Sequence, residues 1–221
     1  MNTQKLVQLQ MRLECIGVKG KDLMVRVKGP YPDDISHCSI VKTDREYKLY
    51  INFKLSKSIQ DSLREIKPKL AFNKPELIKN ILGRLYPKNG PKKYISYIFP
   101  EIINSADSQA ILLQPKHQKL FKEFEPKSSF PRHPAFGIIV DNKLVTVCES
   151  SREDDKSAEA WVRTLKPYRG RGYAKQTTFA WANNLIKQNK IPFYSHEASN
   201  TKSAKVAKGL GLTLIFEQIQ F

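Results

Sequence analysis

Alternating hydrophobic and polar residues predict three strands in the first half of the chain. The segments DLMVRV at 22–27 and YKLYINF at 47–53 have the two-residue period of a strand that is buried on one side. YISYIF, at 94–99, follows a break that contains proline and glycine, and it is the third candidate strand. Apolar residues at helical spacing predict a helix over 56–66, and a second helix begins at Pro75 because proline suits the first helical turn.

The second half alternates strands and helices more regularly. Its predicted elements are, in chain order, a strand at 108–113, a helix at 116–125, a hairpin with strands at 136–140 and 144–150, a strand at 158–165, a helix at 172–188, a strand at 191–197 and a helix at 200–212. An Asp-Asn pair separates the strands of the hairpin, as turn chemistry requires. One face of the helix at 172–188 is predicted to be buried, through Ala174, Thr178, Trp181 and Leu185.

Length and composition are those of a globular protein. The chain has 221 residues, of which 40% are hydrophobic and 27% are charged, so it contains enough apolar material for a core. The segment at 100–107 separates the two halves and is a candidate boundary. We therefore predict an N-terminal α/β domain at 1–105 and a second domain at 106–221.

The net charge of the chain is strongly positive, at +17. The charge is evenly spread, since residues 1–110 contain 20 Lys and Arg against 11 Asp and Glu, and residues 111–221 contain 18 against 10. This even spread favours a solvated, lysine-rich surface, and attraction to a polyanion such as RNA is the alternative.

Several classes of protein are disfavoured by the sequence. The chain has no apolar run long enough to cross a membrane, and its first residues lack the apolar block of a signal peptide. Cys15, Cys38 and Cys148 are odd in number and widely spaced, which favours free thiols in the reducing cytoplasm. Because the histidines and cysteines have no metal-ligand spacing, we expect no metal.

The segment LKPYRGRGYAKQTT, at 165–178, has the features of an anion-binding turn. It connects a predicted strand to a predicted helix and contains Gly170 and Gly172 beside Arg169 and Arg171. Glycine lets the backbone approach a ligand closely, and the N–H groups and dipole of a helix start favour negative charge. The segment therefore predicts a phosphate site, and a pyrophosphate is the expected ligand. A plain left-handed turn is the structural alternative, and the segment matches neither the dinucleotide fingerprint nor the Walker A loop.

Two motifs in the second half resemble those of a known enzyme superfamily. PYRGRGYA is similar to an Arg/Gln-x-x-Gly-x-Gly/Ala turn, and NTKSAKVAKGLGL, from residue 200, is similar to an Asn-x-x-(Ala/Ser) helix followed by Leu-Gly-Phe. Together they resemble the GNAT superfamily of N-acetyltransferases, and within it the FR47-like and glycine N-acyltransferase-like branch, over about residues 108–221. The resemblance implies an α/β fold with a mixed, mostly antiparallel sheet flanked by helices, preceded here by the smaller N-terminal α/β domain.

The resemblance also implies which residues bind acetyl-CoA, the cosubstrate of the superfamily. There, the glycine turn binds the pyrophosphate through its backbone, and the preceding strand pairs with the pantetheine arm. The corresponding residues of this sequence are Thr164, Leu165, Arg169, Gly170, Arg171, Gly172, Tyr173 and Ala174, with Asn200 and Ser203 from the second motif.

A carboxylate is expected to act as the general base, since an acceptor amine is mostly protonated at neutral pH. Glu159 is the first candidate, because members of the superfamily have a glutamate at a similar place on the strand that enters the turn. The alternative is a structural glutamate paired with Arg163, which shares its face of the strand. Glu149, at the end of the neighbouring strand, is the second candidate.

The sequence departs from the superfamily at the general acid. Many members have a tyrosine seven residues after the asparagine of the second motif, and that position is Ala207 here. Tyr194, His196 and water are candidate substitutes, although Tyr194 also suits ordinary strand packing and His196 also suits a surface position.

These observations predict a cytoplasmic N-acetyltransferase that acts on a small-molecule or protein amine, as a monomer or homodimer and without a membrane partner. The N-terminal domain is expected to shape the acceptor site. Two alternatives stay open. The missing tyrosine is compatible with a non-catalytic or sensory module that binds coenzyme A. The positive charge of the chain is compatible with an RNA-directed acetyltransferase.

Overall fold

The computed structural model of the chain describes residues 2–15, 18–19, 23–24, 36–100 and 108–221. Its helices, in chain order, are α1 (Thr3–Glu14), α2 (Lys57–Glu65), α3 (Pro68–Asn73), α4 (Glu76–Leu82), α5 (Gln118–Phe124), α6 (Tyr173–Lys187) and α7 (Thr201–Gly209). Its strands are β1 (Val18–Lys19), β2 (Leu23–Met24), β3 (Cys38–Lys42), β4 (Tyr47–Asn52), β5 (Lys92–Ile98), β6 (Ile111–Leu112), β7 (Phe136–Val140), β8 (Lys143–Glu153), β9 (Ser157–Thr164), β10 (Ile191–Glu197) and β11 (Thr213–Gln220).

The chain divides into two compact units. Unit 1 contains Met1–Tyr97, Ser195–Thr201 and Leu214–Phe221, and unit 2 contains Ile98–Tyr194 and Lys202–Thr213. The chain therefore leaves unit 1 near the end of β5 and returns to it twice. The predicted domain boundary between residues 105 and 106 lies outside the described residues, and that division stays a prediction.

Unit 1 has helices on both faces of a mostly antiparallel sheet. Its strands have the order β1-β2-β4-β3-β11, with β5 beside β11, and β2 and β4 are paired in parallel. On one face, α2, α3 and α4 cover a core that contains Ile40, Ile51 and Ile219. On the other face, Gln218 of β11 donates a hydrogen bond of 3.0 Å to Glu14 of α1.

Unit 2 also has helices on both faces of a sheet, and the strand order of this sheet is β10-β9-β8-β7-β6. The β9–β10 pair is parallel, and the other pairs are antiparallel. One face packs α5 through Phe121 and Phe124 against Val147 and Trp161. The other face packs α6, whose buried Trp181 donates from Nε1 to the Ser150 hydroxyl at 3.0 Å. The prediction of a mixed, mostly antiparallel sheet flanked by helices is confirmed.

Most elements that the sequence predicted are present. The strands at 47–53, 94–99, 158–165 and 191–197 are β4, β5, β9 and β10, and the helices at 56–66 and 172–188 are α2 and α6. Ser56 caps α2 by accepting a hydrogen bond from the Ile59 N–H. Asp141 and Asn142 turn the hairpin with φ of 48° and 57°, the positive values that a tight two-residue turn requires.

A few elements differ from the prediction. The strand expected at 108–113 is reduced to Ile111–Leu112, and the helix expected at 116–125 begins as a 3-10 turn at Pro115–His117 before α5. Of the strand expected at 22–27, β2 covers Leu23–Met24, and the remainder lies outside the described residues. No helix in the described ranges is long and apolar enough to span a membrane.

Candidate active site at the glycine turn

The parallel strands β9 and β10 are paired along the first part of β9. Their ladder contains the pairs Ile191↔Ser157, Pro192↔Ala158 and Phe193↔Glu159, whereas β9 continues to Thr164. Within the described part of unit 2, the edge of β9 beyond Glu159 on the β10 side therefore has no strand partner. Such an edge presents main-chain N–H and C=O groups to an extended ligand.

The predicted glycine turn follows directly from this open end of β9. Gly170 and Gly172 have φ of 81° and 77°, and a Cβ built on either meets no atom of the described residues within 4 Å. The backbone there requires glycine, and there is open space beside the turn. Gly172 is the N-cap of α6, a helix of 15 residues, so the first N–H groups of that helix lie at the turn.

Both arginines of the turn are exposed and held by contacts within the turn. The Arg169 Nε donates to the carbonyl oxygen of Thr164 at 3.0 Å. The guanidinium of Arg171 lies over the ring of Tyr168, 5.4 Å from its centroid. The bond to Thr164 uses one of the five N–H groups of Arg169, so the side chain keeps donors for an anion.

The other predicted residues of this segment adjoin the turn. The Thr164 Oγ1 lies 2.8 Å from the Thr146 Oγ1 of β8, and the Leu165 N–H donates to the Val145 carbonyl at 2.9 Å. Tyr173 and Ala174 begin α6. All eight predicted residues between 164 and 174 thus lie in one stretch of unit 2. The sequence did not indicate Thr146, because a hydroxyl residue on an alternating strand carries no signal of its own.

The second motif is divided between the two units. Asn200 is exposed and belongs to unit 1, where its N–H donates to the Glu197 carbonyl at 2.8 Å. Ser203 belongs to unit 2, and its Oγ lies 2.6 Å from the hydroxyl of Tyr194. This hydroxyl pair joins the end of β10 within unit 2 to α7.

Glu149 and Glu159 lie on one face of the sheet of unit 2, the face that packs α5. Glu149 is the ladder partner of Trp161, and Glu159 precedes Trp161 by two residues on β9. Within this unit, the structure therefore brings both candidate bases to the same side of the strand that enters the turn.

Glu159 is buried, with 3% of its surface exposed, and it forms an ion pair with Arg152. The pairing with Arg163 that was considered as the alternative is wrong, because Arg163 pairs with Glu125 at the end of α5. A register shift in the ladder between Ser150 and Arg152 places Arg152 directly opposite Glu159. The sequence contains no sign of this shift.

Glu149 has a different environment, because it is half-buried in β8 without a compensating charge. Burial raises the pKa of Glu149 to about 7, and no hydrogen bond or charge among the described residues contributes to the shift. A carboxyl group that titrates near neutral pH is suited to accept a proton from an amine.

The candidate acids are buried. Tyr194 is 1% exposed, and it lies on the sheet face opposite the two glutamates, because its neighbour Phe193 is the ladder partner of Glu159. His196, in unit 1, is 5% exposed and stacks on Tyr97 with ring centroids 5.6 Å apart, so the surface position considered for it is wrong. Ala207 is 1% exposed in α7.

The three cysteines are buried, and none of them forms a disulfide. In the ranges that the structure describes, no three His, Cys, Asp or Glu side chains are grouped so that they could hold a metal ion.

A mixed sheet in which a parallel strand pair covers only the first part of the strand before a glycine turn at a helix start has the architecture of the GNAT acyltransferase fold. A sequence model described as GNAT acetyltransferase matches residues 32–219. The chain belongs to the GNAT acetyltransferase family. The match begins well before residue 108, the start of the stretch over which the sequence resembles the superfamily. The family as a whole implies acyl transfer from acetyl-CoA.

Solved structures agree with this fold. The chain is similar to an acetyltransferase from the GNAT family of Colwellia psychrerythraea, with a TM-score of 0.51, 15% identity, and coverage of 100% of this chain and 97% of that chain. For a GCN5-related N-acetyltransferase-like protein from Streptococcus suis, the TM-score is 0.50 at 13% identity, with 99% of each chain covered. A GNAT-family protein from Novosphingobium aromaticivorans gives a TM-score of 0.51 at 18% identity, with 59% of this chain and 63% of that chain covered.

The chain therefore spans less than two thirds of the Novosphingobium protein, and at these identities the structures show the fold alone. No curated protein matches the sequence. The FR47-like and glycine N-acyltransferase-like branch and the cytoplasmic location stay predictions.

Proposed function

We propose that the chain transfers an acetyl group from acetyl-CoA to the amine of a small molecule or protein, by direct attack of the amine on the thioester. The observation that carries the proposal is the glycine turn at the start of α6, directly after the open edge of β9. Open space beside two left-handed glycines suits a pyrophosphate, which the N–H groups and dipole of a long helix stabilise.

Binding of the coenzyme rests mainly on backbone groups. The N–H groups from Gly170 to Ala174 hold the pyrophosphate, and the guanidinium groups of Arg169 and Arg171 add positive charge beside it. The edge of β9 up to Thr164 and Leu165 pairs with the amide groups of the pantetheine arm, as an added strand would. Asn200 and Ser203 stay predicted coenzyme contacts. The bound thioester supplies the activated acyl group.

Glu149 is the general base of this proposal. Its carboxyl accepts the proton that the acceptor amine loses, directly or through a water, because its pKa lies close to neutral pH. Glu159 is less suited to this step, since its side chain is buried and its carboxylate is already engaged in an ion pair with Arg152. We propose that the Glu159–Arg152 pair holds the register of β8 and β9 next to Glu149.

Tyr194 is the proposed source of the proton for the leaving thiolate. Its hydroxyl and that of Ser203, 2.6 Å away, form a two-membered hydrogen-bonded chain, in which either atom can donate. A thiolate is a tolerable leaving group, so this step adds less to the rate than deprotonation of the amine.

An acetyl-transfer assay tests the proposal. The protein is incubated with acetyl-CoA and a panel of small amines, amino acids, lysine peptides and RNA-linked amines, and both released thiol and acetylated product are measured. Release of thiol in step with one acetylated amine supports the proposal. Binding of acetyl-CoA without turnover on any acceptor would favour the non-catalytic coenzyme A-binding module, and turnover confined to RNA-linked amines would favour the RNA-directed alternative.

A further inference from the structure

The edge strand of unit 2, β6, combines exposed apolar side chains with an uncharged sequence. Ile111 is 40% exposed and Leu112 is 45% exposed. Residues 108–115 contain no charged side chain, although the chain as a whole has 38 Lys and Arg. Edge strands are commonly protected from association by charges, lysine above all, and β6 lacks this protection.

The backbone of β6 is fixed at both ends. Before the strand, the Gln109 N–H donates to the side-chain oxygen of Gln176 in α6 at 2.9 Å. After it, the Leu113 N–H donates to the Ala135 carbonyl at 2.8 Å, and the Leu113 side chain lies in the core below α5. A strand that is already ordered loses little conformational entropy when another strand pairs with it.

The outer edge of β6 is centred on Leu112. Successive residues of an antiparallel strand point their N–H and C=O groups to opposite sides. The Leu113 N–H group points toward β7. The N–H and C=O groups of Leu112 therefore point to the opposite edge, where the described sheet has no further strand. The N–H groups of Ala110 and Gln114, which point the same way, bond to nearby side chains, the Ser108 hydroxyl at 3.2 Å and the His117 Nδ1 at 3.0 Å.

We propose that β6 is a self-association surface, at which two copies of the chain pair antiparallel with their Leu112 residues at the two-fold axis. Each Leu112 N–H donates to the Leu112 carbonyl of the other copy, so that two reciprocal main-chain hydrogen bonds form. The Leu112 side chains pack against each other on one face, and Ile111 lies opposite Leu113 of the other copy on the second face.

Charge favours a second copy over an acidic partner at this edge. Two copies, each with a net charge of +17, repel one another, so contact requires a strip without Lys and Arg. Residues 108–115 form such a strip. An acidic partner would bind more tightly where cations are dense. Pairing about a two-fold axis also places the segment of one copy opposite the same segment of the other copy. Any charged residue in the segment would therefore lie near an identical charge.

Disulfide trapping tests the register of this pairing. Hydrogen-bonded residues of antiparallel strands have Cα atoms about 5.5 Å apart, within the range that a disulfide spans. Leu112→Cys should therefore form a covalent dimer under mild oxidation, and the native cysteines do not interfere because all three are buried. Leu214→Cys, at a position 54% exposed in unit 1, is the matched control and should cross-link much more slowly.

Ala110→Cys checks the register, because the proposed pairing places Ala110 of one copy opposite Gln114 of the other copy. The two Ala110 residues are then far apart. This variant should cross-link more slowly than Leu112→Cys. If Leu112→Cys cross-links no faster than Leu214→Cys, the proposal is overturned.

Sedimentation of the protein without cross-links measures the association itself. The wild type should show a concentration-dependent dimer that strengthens with added salt, because salt screens the repulsion between like-charged copies. Leu112→Lys, which places two identical cations at the axis, should raise the dissociation constant at least about tenfold. Leu214→Lys should leave it unchanged. A wild type that is monomeric at every concentration, or a Leu112→Lys dimer of wild-type affinity, contradicts the proposal.

Discussion

Arg152 and Glu159 face each other across the β8–β9 ladder and form an ion pair, because the register of β8 shifts by one residue at Ser151. The displaced Ser151 instead donates its hydroxyl to the main-chain oxygen of Glu159 at 3.1 Å. Glu149, on the same face, has no such cation, and burial raises the pKa of its carboxyl to about 7. Two glutamates on one face of β8 and β9 thus differ in electrostatic environment, and this difference separates their proposed roles.

Replacement of Glu149 by glutamine should remove the general base. Once an acceptor is known, kcat for Glu149→Gln should fall by on the order of 10²–10⁴, with affinity for acetyl-CoA nearly unchanged. The wild-type rate should rise with pH through about 7, as Glu149 loses its proton, and this ionisation should be missing from the variant. Steady-state kinetics across pH measures both effects.

Glu159→Gln is the matched control for this prediction. This substitution should lower the free energy of unfolding but keep the dependence of kcat on pH near neutrality. If Glu159→Gln instead shows the large loss of kcat and Glu149→Gln turns over at the wild-type rate, Glu159 is the base.

Glu149 should also make the stability of the fold depend on pH. Because its pKa is raised from 4.5 to about 7 in the folded state, the folded chain binds this proton more tightly than the unfolded chain. The stabilising contribution is complete below about pH 4.5 and is lost as the pH rises through about 7. The free energy of unfolding of the wild type, relative to Glu149→Gln, should therefore fall over this window, by up to about 3 kcal/mol.

Urea unfolding at a series of pH values measures this difference. Glu123→Gln, at an exposed glutamate of α5, is the control and should parallel the wild type. A difference between wild type and Glu149→Gln that is constant with pH would show that Glu149 titrates normally.

Loss of Arg152 should destabilise the fold. Arg152→Met removes the cation beside a carboxylate that is 5% exposed, and it should lower the free energy of unfolding by about 3 kcal/mol. In the double variant with Glu159→Gln, most of this loss should be recovered, because the buried charge is gone as well. Strictly additive losses in the double-mutant cycle would contradict a direct interaction.

The features that the sequence predicted well have local signals. Gly170 and Gly172 stand at a strand-to-helix turn because only glycine tolerates the positive φ there, and Trp181 and Leu185 mark the buried side of α6 by their spacing. The helix α1 had such a signal too, since Leu6, Leu9 and Leu13 recur at helical spacing and are buried. The prediction did not include that helix.

The features that the sequence missed depend on contacts between distant residues. The partner of Glu159 depends on a register shift in β8, and nothing near Ser151 in the sequence specifies it. The raised pKa of Glu149 depends on how α5 and β9 cover it, which the order of residues in β8 does not reveal. Strand alternation indicated that Glu159 and Arg163 share one face of β9, but it could not show that Glu159 pairs with Arg152 of β8 instead.

Binding of acetyl-CoA at the glycine turn is the claim on which the proposed function depends, and thermal unfolding with and without the ligand tests it. At about 100 times its dissociation constant, acetyl-CoA should stabilise the wild type by about 2.7 kcal/mol and raise Tm by several degrees. Gly172→Val should abolish this shift, because the side chain fills the open space beside the turn and strains a backbone at φ of 77°. Gly90→Val, at a glycine of unit 1 with φ of 74° and equally open surroundings, carries the same backbone strain and should keep the shift. An unchanged Tm of the wild type in saturating acetyl-CoA, or an equal shift in Gly172→Val, would contradict the claim.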